Sequence, residues 1–263
     1  MKTILVIAGS DSCGGAGIHA DIKTITGLGA HALTALTAIT AQNSLGVAAV
    51  HTVPARFVSK QVGTIVDDMA PYAVKIGMLY SAATVKEVAR LVKRYKLPHV
   101  VVDPVLKAST GTRLMESEAV PVLKETLIPF ASVVTPNLYE AETLSGIKID
   151  TLKDMAEAAE VIKTLGPDVV ITGGHLKGRC VDLLYDGKNI HKFDDSRIAT
   201  KHTHGSGCVF STALATFLAE EKGVVEATKL AHDFTRRAII GGYACGSGAG
   251  PVQAGAISAS ARA

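Results

Sequence analysis

The chain reads as an α/β protein with a doubly wound, mostly parallel central sheet and helices on both faces. Three observations predict this. Short β-rich runs alternate with helical patterns along the chain, the order of a parallel sheet wound through crossover helices. Of 263 residues, 48% are hydrophobic, yet Trp is absent and Phe and Tyr number six each. The apolar mass is therefore Ala, Val, Ile and Leu, the composition of strands buried on both faces. The third observation is that the unusual polar residues sit where the β-rich runs end, and ligands of such sheets lie beyond the carboxyl ends of the strands.

The elements follow in order. Thr3–Ala8 reads as a first strand and Ala16–Leu28 as a helix ending at Gly29. Ala32–Thr40 is apolar and Thr-rich, a strand pattern, and Val47–Val53 reads as an edge strand. Pro54 opens a helix to about Met69, since Pro suits a first turn. Ala73–Ile76 is a strand, Ser81 caps a helix to Tyr95, and His99–Asp103 is an apolar strand ending in an acid. Ser132–Thr135 is another strand, and Asp150 or Thr151 caps a helix to Leu165. Val169–Thr172, Val181–Tyr185 and Ile190–Phe193 are strands, and Ser206–Glu220 and Val224–Gly241 are closing helices. There is no internal repeat or linker, so one domain over residues 1–263 is expected.

Composition excludes several classes. Net charge is +3, and the basic clusters are mere pairs such as Lys93-Arg94 and Arg236-Arg237, which do not make a nucleic-acid groove. The run Ile4–Ala8 stops at Gly9-Ser10-Asp11, too short for a secretory segment, and no apolar stretch spans a bilayer. Cys13, Cys180, Cys208 and Cys245 form no C-x-x-C pair, so a disulfide or zinc framework is disfavoured and a reducing cytoplasm is expected.

The unusual residues fall at four strand ends: Gly9-Ser10-Asp11, Asp103-Pro104, Thr135-Pro136-Asn137 and Gly173-Gly174-His175. The loop Gly9-Ser-Asp-Ser-Cys-Gly-Gly-Ala-Gly17 permits close backbone approach and leads into a helix N-terminus able to hold an anion. It is no Walker A loop, because Gly15-Ala16 stands where Lys-Ser/Thr is needed. Nor is it a dinucleotide fingerprint, because no acid lies between Asp21 and Asp67 to hold a ribose. Asp21 and Gln42 could read a polar ring, though an exposed helix acid and a turn amide explain each of them better when taken singly. Asp103 ends the most apolar strand, and Asn137 with Glu140 has the spacing of a capping box; Asp103 and Glu140 could also organise Mg²⁺. The sharpest feature is Thr203-His-Gly-Ser-Gly-Cys208 before an apolar helix, whose free N–H groups form an anion nest for a transferring phosphoryl group. Cys208 falls in the first turn, where a helix dipole is expected to lower a thiol pKa and suit it to take an alcohol proton.

In this order the motifs are similar to those of the ribokinase-like superfamily. Within it, the chain resembles the hydroxymethylpyrimidine and hydroxymethylpyrimidine-phosphate kinases of thiamin synthesis, with pyridoxal kinases a close branch. The resemblance is carried over nearly the whole chain by Gly9–Gly17, Thr37-Ala-Ile-Thr-Ala-Gln-Asn, Val74-Lys-Ile-Gly-Met, Val102-Asp-Pro-Val, Thr135-Pro-Asn-Leu-Tyr-Glu-Ala-Glu, Gly173-Gly-His and His204-Gly-Ser-Gly-Cys. It implies a ribokinase-like fold, ATP and Mg²⁺ as cofactors, a small hydroxymethyl-bearing ring as substrate and a homodimer. It implies that Asp21 and Gln42 bind the ring and that Gly9, Met78 and Val105 line its pocket. Asn137, Thr172 and Gly174 would serve ATP, and Asp103 and Glu140 the metal. Gly205, Ser206 and Gly207 would form the anion hole, with Cys208 where sugar kinases of the superfamily carry a catalytic Asp. The chain departs from the family pattern at Ser206, usually Thr, at Thr172, often Lys, at Cys13, usually Ser, and in Gly246–Pro251, which lacks the customary His residues. The expected activity is phosphorylation of 4-amino-5-hydroxymethyl-2-methylpyrimidine and then of its monophosphate. The alternatives are pyridoxal or pyridoxine phosphorylation, alone or alongside, and a vitamin-precursor-binding protein without turnover.

Overall fold

The computed structural model describes residues 1–174, 176 and 180–255. Strand β1 (Thr3–Asp11) leads through the Gly-rich loop into α1 (Gly17–Gly27), followed by the hairpin β2 (His31–Asn43) and β3 (Gly46–Thr52). Then come α2 (Ala55–Val66), β4 (Ala73–Ile76), α3 (Ala82–Tyr95) and β5 (Val100–Val102). Helix α4 (Ala119–Val122) widens into a π turn over Leu123–Leu127 and tightens over Ile128–Phe130 before β6 (Val133–Val134). The chain continues with α5 (Leu138–Ser145), α6 (Leu152–Lys163), β7 (Asp168–Ile171), β8 (Cys180–Tyr185) and β9 (Ile190–Asp195), and the last helices are α7 (Ser206–Ala219) and α8 (Val224–Ile240).

Among the described residues the nine strands form one sheet in the order β3-β2-β1-β4-β5-β6-β7-β8-β9. The six strands from β2 to β7 are parallel, while β3, β8 and β9 pair antiparallel and close the two edges. Alternation along each strand sorts the core into two layers. Leu5, Ile7, Val74, Ile76 and Val102 face α2, α3, α5 and α6. Ile4, Val6, Val101, Val133 and Val170 face α1, α7 and α8. The winding reverses between β1 and β4, so the loops after these strands flank a crevice, the usual place for a ligand in a doubly wound sheet.

Most boundaries match expectation: β4 runs over Ala73–Ile76, Ser81 caps α3 through the Thr84 amide, and Thr151 caps α6 in a capping box with Asp154. Four points differ, one being that β1 runs to Asp11 rather than stopping at Ala8. The helical stretch 119–130 was not expected, because Pro121 and Pro129 break its pattern and Glu118 gives it no side-chain cap. Strand β2 runs three residues further than Thr40, because the hairpin to β3 extends the pairing to Asn43↔Gly46. Strand β5 is shorter than His99–Asp103, since His99 sits at φ 44°, outside the extended region.

Candidate active site

Lys75 anchors the strand ends. Parity on β4 turns its side chain into the α1/α7 layer, where it has no solvent exposure. Its Nζ donates to both oxygens of Asp21, at 3.0 and 3.1 Å, and lies 3.9 Å from Asp103. Thr212 Oγ1 on α7 donates to Asp21 at 2.6 Å, and Ser211 Oγ, one residue earlier, donates to Asp103 at 2.9 Å. Burial opposes the ammonium, but Asp21 and then Asp103 outweigh it and hold Lys75 charged. One buried cation thus joins α1, β4, the end of β5 and the first turns of α7.

Beyond β6, Asn137 caps α5: its Oδ1 accepts from the Glu140 amide at 3.0 Å, and Glu140 Oε2 accepts from the Asn137 amide at 2.9 Å. The other Glu140 oxygen accepts from the Leu106 amide at 3.2 Å. Burial, then the Asp103 charge, push Glu140 up to about 8, and burial likewise raises Asp103. Two buried acids repelling each other favour a cation between them. Thr135 Oγ1, at the end of the same strand, is buried without a hydrogen-bond partner.

The Gly205–Cys208 turn opens α7 as expected. Gly205 sits at φ 84° directly before α7, and a Cβ there would lie 1.9 Å from the Gly15 carbonyl, so only glycine lets the two Gly-rich segments touch. The first intrahelical bond runs from the Val209 amide to the Gly205 carbonyl. The amides of Gly207 and Cys208 therefore precede the ladder and face outward. Contrary to expectation, the Cys208 thiol is not acidified. Burial pushes it up to about 12, with Asp21 and Asp103 adding to the rise and Lys75 opposing it.

A second network ties the nest to the first loop. Asp11 accepts from the amides of Cys13, Gly15 and Ala16 at 3.0, 3.2 and 2.9 Å, and lies 2.8 Å from His204 Nε2. Burial raises the Asp11 pKa, but hydrogen bonds from His204 and Cys13 prevail and hold it at about 2. Beside this loop, Met78 packs against Gly9, where a Cβ would come within 2.9 Å of its sulfur, and Met78 and Val105 share a small apolar cluster with Ala38 and Leu114. Ser12 and Gln42 line an open depression of about 570 Å³ together with Asn43 and Val47. A larger hollow of about 660 Å³ lies among Val120, Lys124 and Leu165 and contains no candidate residue.

The expected residues thus fall into three groups. Gly9, Met78 and Val105 meet at an apolar wall, Asp103 and Glu140 interact electrostatically, and Gly205, Ser206, Gly207 and Cys208 form the start of α7. Asn137 and Thr172 are bridged, the Thr172 amide donating to Pro136 O at 3.0 Å. Gly174 has open space where a side chain would be, and its carbonyl is held by Arg197 at 2.7 Å. One placement differs from expectation: Asp21 is fully buried in its pairing with Lys75 and presents no surface to a ring. The Gln42 amide oxygen accepts from Thr40 at 3.2 Å. His175 lies outside the described residues. The sequence reading gave no role to Lys75, Asp11, His204, Ser211 or Thr212. For Lys75 a signal was present: a charge between apolar neighbours on a four-residue strand must point inside.

The fold and this site define a kinase of the ribokinase-like class. A family model described as phosphomethylpyrimidine kinase matches residues 11–253, and the chain belongs to that family. It is 46% identical to the thiamine biosynthesis bifunctional protein ThiED of Geobacter sulfurreducens over 95% of this chain, although it spans only 51% of that longer protein. It is 44% identical to a hydroxymethylpyrimidine/phosphomethylpyrimidine kinase of Bacillus subtilis, covering 94% of this chain and 92% of that one. Among solved structures, a Bacillus subtilis pyridoxal kinase in complex with ADP superposes with a TM-score of 0.90 at 39% identity, covering 96% of this chain and 97% of that one. A phosphomethylpyrimidine kinase of Clostridium difficile superposes with a TM-score of 0.82 at 39% identity, covering 91% of this chain and all of that one. No helix among the described residues is long and apolar enough to cross a membrane.

Proposed function

We propose that this chain transfers the γ-phosphoryl group of ATP to 4-amino-5-hydroxymethyl-2-methylpyrimidine, and then to the monophosphate so formed. The observation that carries this reading is the meeting of the Gly205–Cys208 nest with the Lys75–Asp103 pair at the crevice between β1 and β4. The ring sits against Gly9, Met78 and Val105, with Gln42 at its polar edge, and ATP lies over Asn137, Thr172 and Gly174. Asp21 acts from behind by holding Lys75.

Charge that develops on the transferring phosphoryl oxygens is stabilised by the Gly207 and Cys208 amides, fixed before the reaction begins. Once its own proton has passed to solvent, Cys208 takes the hydroxymethyl proton as that hydroxyl oxygen bonds to the γ-phosphorus and the bond from phosphorus to the departing ADP oxygen breaks. A loose transition state asks for this proton late. Asp103 is one of the charges that keep the thiol protonated, so neutralising that carboxylate lowers the thiol pKa and readies the base. Asp103 and Glu140 would hold Mg²⁺, whose preference for oxygen ligands their carboxyl groups fit. When bound, that ion would neutralise phosphate charge.

The test is ATP consumption with Mg²⁺ in parallel reactions containing the pyrimidine, its monophosphate, pyridoxal, pyridoxine and ribose, with products resolved by mass. Pyrimidine diphosphate is expected. The superposition with a pyridoxal kinase favours a second reading in which pyridoxal is also a substrate. Turnover of pyridoxal alone would replace the first reading with the second, and turnover of none would remove both.

A further inference from the structure

The Asp11, Cys13 and His204 side chains bring three different donor atoms together beside the nest. Asp11 Oδ2 is 2.8 Å from His204 Nε2 and 3.3 Å from Cys13 Sγ, and the sulfur is 3.7 Å from that nitrogen. Donors on a tetrahedral zinc ion, with bonds of about 2.0 Å to N and O and about 2.3 Å to S, stand roughly 3.3–3.6 Å apart. The three atoms already lie near that spacing with no ion between them. We propose that Asp11, Cys13 and His204 form a binding site for a borderline-soft divalent ion such as Zn²⁺, distinct from the all-oxygen set at Asp103 and Glu140.

Three features support the assignment. The donors come from the end of β1, the Gly-rich loop and the turn before α7, so an ion would fasten elements that now meet through hydrogen bonds and backbone contact. Asp11 is already fixed by three backbone amides, and such outer hydrogen bonds orient a metal-bound carboxylate. Cys13 is exposed, which gives an ion a way in. Thiolate and imidazole select zinc, copper or cobalt over Mg²⁺, so the two sites would sort ions by chemistry rather than by size alone. On binding, the metal–sulfur bond forms as the Cys13 S–H proton leaves to solvent, the metal–nitrogen bond forms as the proton that His204 Nε2 gives to Asp11 leaves that nitrogen for solvent, and no electron changes hands. The other mixed cluster, Asp195, His232 and Asp233, holds no sulfur and so lacks the soft donor that would select such an ion.

The experiment is a Co²⁺ titration of the full chain in Mg²⁺-free buffer with a phosphine reductant. One equivalent is expected to give a thiolate-to-cobalt band in the near ultraviolet and tetrahedral bands in the visible, both displaced by Zn²⁺. Cys13→Ser should abolish the thiolate band and weaken binding by more than about tenfold. A spectrum without that band, or one that C13S leaves intact, overturns the proposal. A second measurement needs no variant. Alkylation of Cys13, followed by peptide mass, should slow in Zn²⁺ and recover with a chelator, and an unchanged rate overturns the site equally.

Discussion

At the scale of single residues, burial decides the chemistry of Cys208. A helix N-terminus alone would acidify the thiol, but its low-dielectric setting beside Asp21 and Asp103 reverses the sign. A base of this kind works only when its neighbours are neutralised, so turnover should depend on it far more than binding does. Cys208→Ala is expected to lower kcat by about 10²–10⁴ while pyrimidine affinity, measured by calorimetry, holds within about twofold. The rise of kcat/KM with pH should flatten in the same variant. An unchanged kcat would remove Cys208 from the mechanism. Glu140 presents the opposite case, an acid that completes a capping box and is nonetheless pushed up to about 8 by burial and by Asp103. Glu140→Gln keeps one accepting oxygen for the cap but removes the charge. The Mg²⁺ concentration for half-maximal turnover should rise by roughly tenfold or more, a loss of the size seen when metal-site carboxylates are altered. An unmoved Mg²⁺ curve would leave Glu140 as a cap alone.

At the scale of elements, the site depends on two junctions between segments. Lys75 is the first, joining β4 to α1 and α7 through Asp21, Thr212, Asp103 and Ser211. Lys75→Met leaves two buried carboxylates without their cation, and breaking one partner of such a pair costs about 3–5 kcal/mol. Urea unfolding should show that loss, and the double variant Lys75→Met with Asp21→Asn should recover part of it, because the stranded charge is gone. No recovery would mean that Lys75 acts through Asp103 rather than Asp21. Gly205 is the second junction. An alanine there must leave its left-handed conformation or displace Gly15, and either movement shifts the Gly207 and Cys208 amides. Gly205→Ala should reduce turnover about a hundredfold, the cost of one misplaced oxyanion donor, with a smaller change in the KM for the pyrimidine. The legibility of these elements follows the same division. Ser81, Thr151 and Asn137 announce their helices because a cap is a local event within a few residues. The nest at 205–208 is legible for the same reason. Asp21 is not, because its partners Lys75 and Thr212 lie 54 and 191 residues away in sequence, and its own helix cannot say whether it faces water.

At the scale of the whole molecule, alternating runs in the sequence reveal the layered sheet, and hydrophobic parity places each strand between its helices. The antiparallel edges are less visible, because a period-two strand looks the same in either direction and only the pairing with β7 fixes β8. One residue ties that far edge to the body. His232 on α8 is 2.7 Å from Asp182 on β8 and 3.1 Å from Asp195 on β9, and Asp182 also accepts the Gly173 amide at 3.0 Å. Neutral imidazole can donate from only one nitrogen, whereas the protonated ring donates to both acids. The hydrogen bond to Asp182 leads the causes that raise His232 above the usual histidine value, burial opposing it and Asp195 adding to it. A histidine whose pKa is raised by folding binds its proton more tightly in the native state. The stability it contributes is therefore complete below the unfolded value of about 6.5 and is lost as pH rises through the folded value. Arg236 Nε also lies 3.5 Å from Asp195. The urea midpoint of the wild-type chain should therefore fall as pH rises from about 6 to about 9, beyond whatever slope the remaining groups give. His232→Gln should be less stable at about pH 6 by roughly 1.5–3 kcal/mol, the worth of a hydrogen bond to a charged partner. The gap should narrow steadily as pH rises through the raised native value of His232. A gap that stays constant across that range would show that His232 serves there as a neutral packing residue, and the tie between α8 and the sheet edge would then rest on Arg236.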